Sequence, residues 1–202
     1  MKKGLITFVL GLFLITSSAL ALDVPQAFRD SYRYEKMGAY QDAINVLLPV
    51  HQKYPNFYLV NLRLGWLYYL ARKYRNSIDY YEKALNINPN SFEALLGLSL
   101  PYMAQKNWPK VEDLMRRLIR EDRYNYYGNL RLAIALRLQN KADHAERVMR
   151  KMLQRYPTDV LFLVELGQDL WWQGKKKEAR RVFRQVLLLS PENVIAKTFL
   201  QK

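Results

Sequence analysis

The sequence has no cysteine, only two histidines, and just eight glycines and eight prolines in 202 residues; its 18 acidic side chains are outnumbered by 32 basic ones. Each shortage removes a class of protein. Without cysteine there is no disulfide framework and no thiol to carry a lipid behind a leader peptide. His51 and His144 lie far apart, with no cysteine or carboxylate partners at metal-ligand spacing, so both read as surface or partly packed helix residues. The glycines form no phosphate-cradling loop and flank no serine nucleophile elbow. No nucleophile with an acid–base partner stands out, so the sequence assigns no catalytic residue, cofactor or metal. The longest apolar run, Leu5 to Ile15, is about half of the roughly 20 residues a membrane span needs.

That run follows Lys2 and Lys3 and precedes Thr16-Ser17-Ser18 and the small-residue site Ala19-Leu20-Ala21. The arrangement is that of a secretory signal peptide over residues 1–21, cut after Ala21 to leave a soluble periplasmic chain starting at Leu22. Formal net charge is +14, or +12 once the two leader lysines are gone. Outside the cytoplasm that charge points away from nucleic acid and toward anionic lipid headgroups, acidic polysaccharide or an acidic protein.

What the chain has in quantity is repetition. Between Asn61 and Pro89, Leu64, Gly65 and Tyr68 fall on one face of a first helix, and Ser77, Tyr81 and Ala84 share a face of a second. Steps of 34 residues extend these positions into columns: Asp30, Leu64, Leu98, Leu132, Leu166 and Leu200; Ser31, Gly65, Ser99, Ala133 and Gly167; and the terminators Pro55, Pro89, Arg123, Pro157 and Pro191. A helix pair repeated at this fixed period resembles the tetratricopeptide repeat, over nearly the whole mature chain. The expected fold is all-α: a right-handed superhelical solenoid of five helix-turn-helix repeats at 24–57, 58–91, 92–125, 126–159 and 160–193. A C-terminal capping helix, 194–202, closes it.

Several departures from regularity carry expectations of their own. The polar Asp30 and Ser31 suit an end repeat that lacks a neighbour on one side. Gly38 and Gly174 suit the turns between paired helices, where Arg72 and Asn140 stand in other copies. Pro49 frees the carbonyl of Asn45 and predicts a bend. Pro101 falls inside a first helix, and Gly97, four residues earlier, limits the crowding; the kink is either tolerated or opens the binding surface. Ala145, Met149 and Met152 form the inward face of the fourth second helix. No insertion breaks the register, so the long loops on which catalytic sites are usually mounted are missing.

The resemblance implies action by binding, in a concave groove lined by the first helix of each repeat. The matching positions are Phe28 and Tyr32; Leu59, Leu62, Trp66, Tyr69 and Leu70; Leu96, Leu100 and Met103; Leu130, Ile134 and Leu138; and Val164, Trp171 and Trp172. Helices apolar on both faces are normally covered on both, so either the curvature of the array or a partner covers this one. Some family members grip acidic tail peptides through a lysine, asparagine and arginine clamp. Its places hold Phe28, Tyr32, Arg63, Glu93 and Gly97 here, or one repeat further on Leu62, Trp66, Gly97, Tyr127 and Arg131, and the clamp is absent. The expected ligand is therefore an apolar or amphipathic segment of an envelope or exported protein. A second feature is a basic outer face: Arg116, Arg150 and Arg184 at 34-residue spacing, with Arg147 and Arg181 in a neighbouring column. It reads either as a solvated surface or as a contact for anionic polysaccharide or a membrane surface.

Together these features predict a non-enzymatic periplasmic scaffold or adaptor that serves assembly of an envelope or secretion complex. Two alternatives stay open: an accessory protein for export of an anionic polysaccharide, and a self-assembling scaffold whose groove takes the capping helix of another copy. The oligomeric state is not written in the sequence.

Overall fold

The computed structural model describes residues 22–201; the signal peptide expected at 1–21 and the last position of the capping helix expected at 194–202 lie outside the described residues. Every regular element among the described residues is helical: α1 Val24–Lys36, α2 Tyr40–Asn45, α3 Leu48–Lys53, α4 Tyr58–Leu70, α5 Tyr74–Ile87, α6 Phe92–Ala104, α7 Trp108–Glu121, α8 Tyr126–Arg137, α9 Ala142–Arg155, α10 Val160–Trp172, α11 Lys176–Leu189 and α12 Val194–Gln201. From α4 onward each helix packs on the next along the chain, the order of a solenoid in which each unit touches only its neighbours.

The register is held by two kinds of backbone device at the same 34-residue interval. Between the helices of each pair the chain passes through one left-handed residue: Gly38, Arg72, Lys106, Asn140 and Gly174, with φ of 72, 57, 57, 61 and 77°. The following amides then bond back to the helix end, as Lys73 N–H does to the Tyr68 carbonyl at 2.9 Å. Only the two glycines adopt this conformation without steric cost. Before most first helices stands a side-chain N-cap: Asp23, Ser91, Asn125 and Asp159 accept from the amides of Gln26, Ala94, Gly128 and Phe162. Asn193 does the same for α12, taking the Ala196 amide at 2.9 Å.

The leucine column is the core. Leu64, Leu98, Leu132 and Leu166 are buried, and in the first unit Ser31 is fully buried while Asp30 is half-exposed. The column of small residues has a specific cause. A Cβ on Gly65 would lie 2.9 Å from the Tyr81 ring, and one on Gly97 only 2.2 Å from Tyr81 Cε1, so this ring of α5 is clamped between the backbones of α4 and α6. Gly167 repeats the arrangement against Phe183, at 2.6 Å.

Both proline expectations resolve. The second helix of the first unit is broken into α2 and α3: Leu47 N–H drops back to the Ile44 carbonyl at 2.9 Å, and Pro49 occupies the first turn of α3, where no amide is needed. Helix α6 by contrast runs unbroken through Pro101. Gly97 is small for the sake of Tyr81, rather than for the proline. At the far end α12 buries Ala196 and stacks Phe199 on Phe183 at 4.9 Å between ring centres, closing the apolar core as a cap.

Candidate binding groove

The first helices bring part of the anticipated groove together. Phe28 and Tyr32 from α1, Leu62 and Trp66 from α4, and Leu96 and Leu100 from α6 line one pocket of about 460 Å³, with Leu59 and Tyr81 beside them. Helical spacing puts them there, since residues four apart on one helix share a face and the 34-residue register lays the faces side by side. Tyr69 stands next to the pocket, its ring 5.7 Å from that of Trp66 and 6.1 Å from that of Tyr74.

Further along the array the anticipated residues do not join this pocket. Met103 and Leu130 are half-buried against the main core, and Ile134 is half-buried too. Val164, which its repeat position assigns to the groove, is instead a core residue at 3% exposure. Trp171 is half-buried: Phe199 of the cap lies edge-on to it at 5.3 Å, and Lys176 and Arg180 sit over its ring at 5.0 and 5.7 Å. Trp172, by contrast, is 67% exposed. The expectation of one apolar groove along all the repeats is thus corrected to a pocket spanning α1, α4, α6 and α8: Val164 is core, the cap lies against Trp171, and Trp172 is exposed outside the pocket.

The floor of the pocket is also less apolar than the pattern of first-helix residues implied. Arg63 and Arg131, which share a position two repeats apart, both line it. Arg63 is buried and neutralised: Nη1 meets Glu35 at 2.5 Å, Nε donates to Ser31 Oγ at 3.0 Å, and the guanidinium lies 3.8 Å from the centre of the Tyr32 ring. Glu35 also accepts from Trp66 Nε1 at 2.7 Å, which fixes the indole in the pocket wall. Arg131 has different company. Its Nη1 donates to the Leu96 carbonyl at 2.6 Å and to Ser99 Oγ at 2.7 Å, and burial presses its pKa down against the opposing influence of Tyr69, Tyr81 and Tyr127. Glu93, an exposed residue at the rim, is 3.5 Å from the Tyr58 hydroxyl.

One seam beyond, the same positions carry the opposite polarity. Arg137 of α8 pairs with Glu165 of α10 and donates to Gln168 at 3.1 Å; its Nε lies 3.2 Å from Asp169, too poorly aligned for a hydrogen bond. Asp169 is fully buried, and burial pushes its carboxyl up to about 8, against the pull of Arg137. Burial likewise raises Glu165. This cluster ties two repeats together.

The basic outer face proves to be interleaved with acids. Glu112 accepts from Arg116, Gln139 and Lys141, and Glu146, 34 residues on, accepts from Arg150, Gln173 and Lys175. Burial would raise both carboxyls, but these hydrogen bonds outweigh it and hold each at about 2. Arg150 also meets Glu178 at 2.5 Å and Arg147 meets Asp143 at 3.3 Å, whereas Arg181 and Arg184 are exposed. Sequence reasoning missed the column of Glu112 and Glu146, although its 34-residue interval was there to be found. His144 lies at the surface 3.1 Å from Asp143, and His51 packs edge-on to Tyr80 at 5.1 Å.

Comparison with known proteins agrees with this geometry. Residues 60–91, the α4–α5 pair, match the model of the tetratricopeptide repeat. Among solved structures, the chain is similar to residues 41 to the end of MamA from Desulfovibrio magneticus RS-1, with a TM-score of 0.76 and 16% identity over 84% of this chain and 96% of that one. It is also similar to YrrB, described as a TPR protein with an unusual peptide-binding site, with a TM-score of 0.75 and 11% identity over 90% and 93%. A third is a thermophilic TPR protein of Thermus thermophilus, with a TM-score of 0.64 and 13% identity over 88% and 96%. No curated protein matches the sequence. At these identities the likeness establishes the fold, which is the tetratricopeptide-type helical solenoid.

Proposed function

We propose that this tetratricopeptide-type array is a non-enzymatic interaction protein, and that it works in the periplasm by holding a segment of a partner protein in the pocket between α1, α4, α6 and α8. The observation that carries the reading is the pocket itself: about 460 Å³, walled by Leu62, Trp66, Leu96 and Leu100 and left open by the packing of the array. A preformed apolar pocket with a fixed indole gives a partner anchor area without the cost of ordering the site. The basic outer face is the weaker candidate, since Arg116, Arg147 and Arg150 are already paired with carboxylates. Paired surface charges of that kind do little for an anionic surface nearby.

The test compares two variants by co-purification from envelope extract. Trp66→Ala with Tyr69→Ala removes desolvated anchor area and is expected to weaken the partner by about 2–4 kcal/mol, chiefly through faster dissociation. Arg116, Arg150 and Arg184 changed together to glutamine are expected to leave it bound, and salt to matter little. Partner loss in the arginine variant, mimicked by salt, overturns the pocket reading, as does a lowered melting temperature of the Trp66 and Tyr69 variant with unchanged affinity. Intact-mass measurement on the periplasmic fraction tests the location: a chain beginning at Leu22 supports export, and a membrane-bound species retaining Met1 counts against it.

A further inference from the structure

We infer that the segment held in this pocket carries one acidic side chain among apolar ones, and that its carboxylate docks on the free edge of Arg131 while the apolar side chains fill the space between Trp66 and Leu96. The inference rests on the pocket being the binding site and adds the chemistry of what it binds.

The argument is one of charge accounting within the pocket floor. Two guanidinium groups line it. The positive charge of Arg63 is met inside the protein by Glu35, and its Nε by Ser31. Arg131 meets only neutral partners, the Leu96 carbonyl, the Ser99 hydroxyl and, 6.0 Å away, the Tyr127 ring, and both hydrogen bonds leave from the same nitrogen, Nη1. Among the described residues no carboxylate lies within ion-pair distance of Arg131, and its Nε and Nη2 have no acceptor. Those two nitrogens are not sealed off, in contrast to the buried Nη2 of Arg63. A guanidinium edge formed by Nε and Nη2 presents two parallel N–H donors, the geometry that accepts a carboxylate in bidentate fashion.

A partly buried cation with neutral partners is poorly compensated, and an anion arriving there recovers solvation that the fold has taken away. The rest of the pocket sets what that anion is attached to. Leu62, Trp66, Leu96 and Leu100 give no polar anchor, and the indole N–H is already committed to Glu35. A bare inorganic anion would leave those walls wet, and a purely apolar segment would desolvate Arg131 without pairing it. Glu93 stands at the rim as the one exposed carboxylate of the lining, so it disfavours a second acidic group on that side and makes a single acid the best match.

A phage-displayed library of random 12-residue peptides, fused at their C-termini so that no chain-end carboxylate is free, tests this on the full mature chain. The expected selection holds one aspartate or glutamate flanked by leucine-like or aromatic residues. Changing that acid to its amide in a synthetic, C-terminally amidated copy should weaken binding to the unaltered protein by about tenfold to a hundredfold. The same change should cost little against Arg131→Gln, and an intermediate amount against Arg131→Lys, which keeps the charge and loses the two-pronged edge. Binders that lack an acidic residue yet are lost in Trp66→Ala leave the pocket reading standing and overturn the acidic contact. Peptides that bind only with a free C-terminus overturn it too, by assigning the charge to a chain end. Recovery of no binder at all, with or without a free end, overturns the pocket reading and the inference with it.

Discussion

Replacing Asp169 by asparagine should stabilise the protein by a margin that opens near pH 4 and grows as pH rises toward about 8. Asp169 is fully buried at the seam between α8 and α10, where two carboxylates share the single guanidinium of Arg137. Burial raises its pKa from the ordinary 3.8 to about 8, so the folded protein keeps a proton there that the unfolded chain releases. A raised folded-state pKa contributes stability that is complete below the unfolded value and is lost as pH climbs toward the folded one. Each pH unit inside that window costs about 1.4 kcal/mol. Between pH 5.5 and 7.5 the unaltered chain should therefore lose up to about 3 kcal/mol relative to Asp169→Asn, or roughly 5–10 °C in melting temperature for a chain of this size. The figure is a ceiling, because any movement of Arg137 or entry of water relieves part of the cost.

Other titrating groups do not imitate this signal. Glu112 and Glu146, held at about 2, are ionised in both states above pH 5.5 and act only at lower pH. Glu165 is raised and has the same sign, while burial lowers His51, whose contribution runs the opposite way across its ordinary 6.5. His51 is unchanged in the variant and cancels in the difference, whereas Glu165 shares Arg137 with Asp169, so the difference reads this carboxylate pair. Thermal melts followed by circular dichroism from pH 5 to 8.5 provide the comparison. Parallel curves for the two proteins would refute the reasoning, and so would an asparagine variant that is the less stable of the two at pH 8.

Three further outcomes are expected from the packing. Leu132→Ala, at a site 1% exposed, should cost about 2–5 kcal/mol in chemical denaturation. Gly97→Ala forces a methyl to within 2.2 Å of Tyr81 Cε1 and should cost about 1–3 kcal/mol; the penalty should shrink when Tyr81→Leu is already present, so that the two changes are non-additive. Arg72→Gly and Lys106→Gly release non-glycine residues from φ of 57° and should each stabilise by about 0.5–1 kcal/mol, measured as a shift in denaturation midpoint at constant slope.

The sequence by itself determined the period, the helix pairs and the core. The reason is that a repeat writes each packing position several times: Leu64, Leu98, Leu132 and Leu166 are buried for one local cause, and a helical face needs only spacing to be recognised. The break at Pro49 was legible too, because a missing amide acts within one turn. The pocket was legible only in part. Spacing placed Leu62, Trp66 and Leu96 on one face, but whether a face stays open depends on how far successive repeats close on one another and on what the cap covers, and those are contacts between units distant in sequence. Only the tertiary structure put Phe199 against Trp171, sank Val164 into the core and explained Gly97 by a ring on the preceding helix. Charge was the least legible quantity. Arg63 and Arg131 occupy the same place in their repeats, yet Glu35 neutralises one while the other faces only neutral partners. A side chain's charge is local, but its compensation belongs to whichever neighbour the fold brings within a few ångströms.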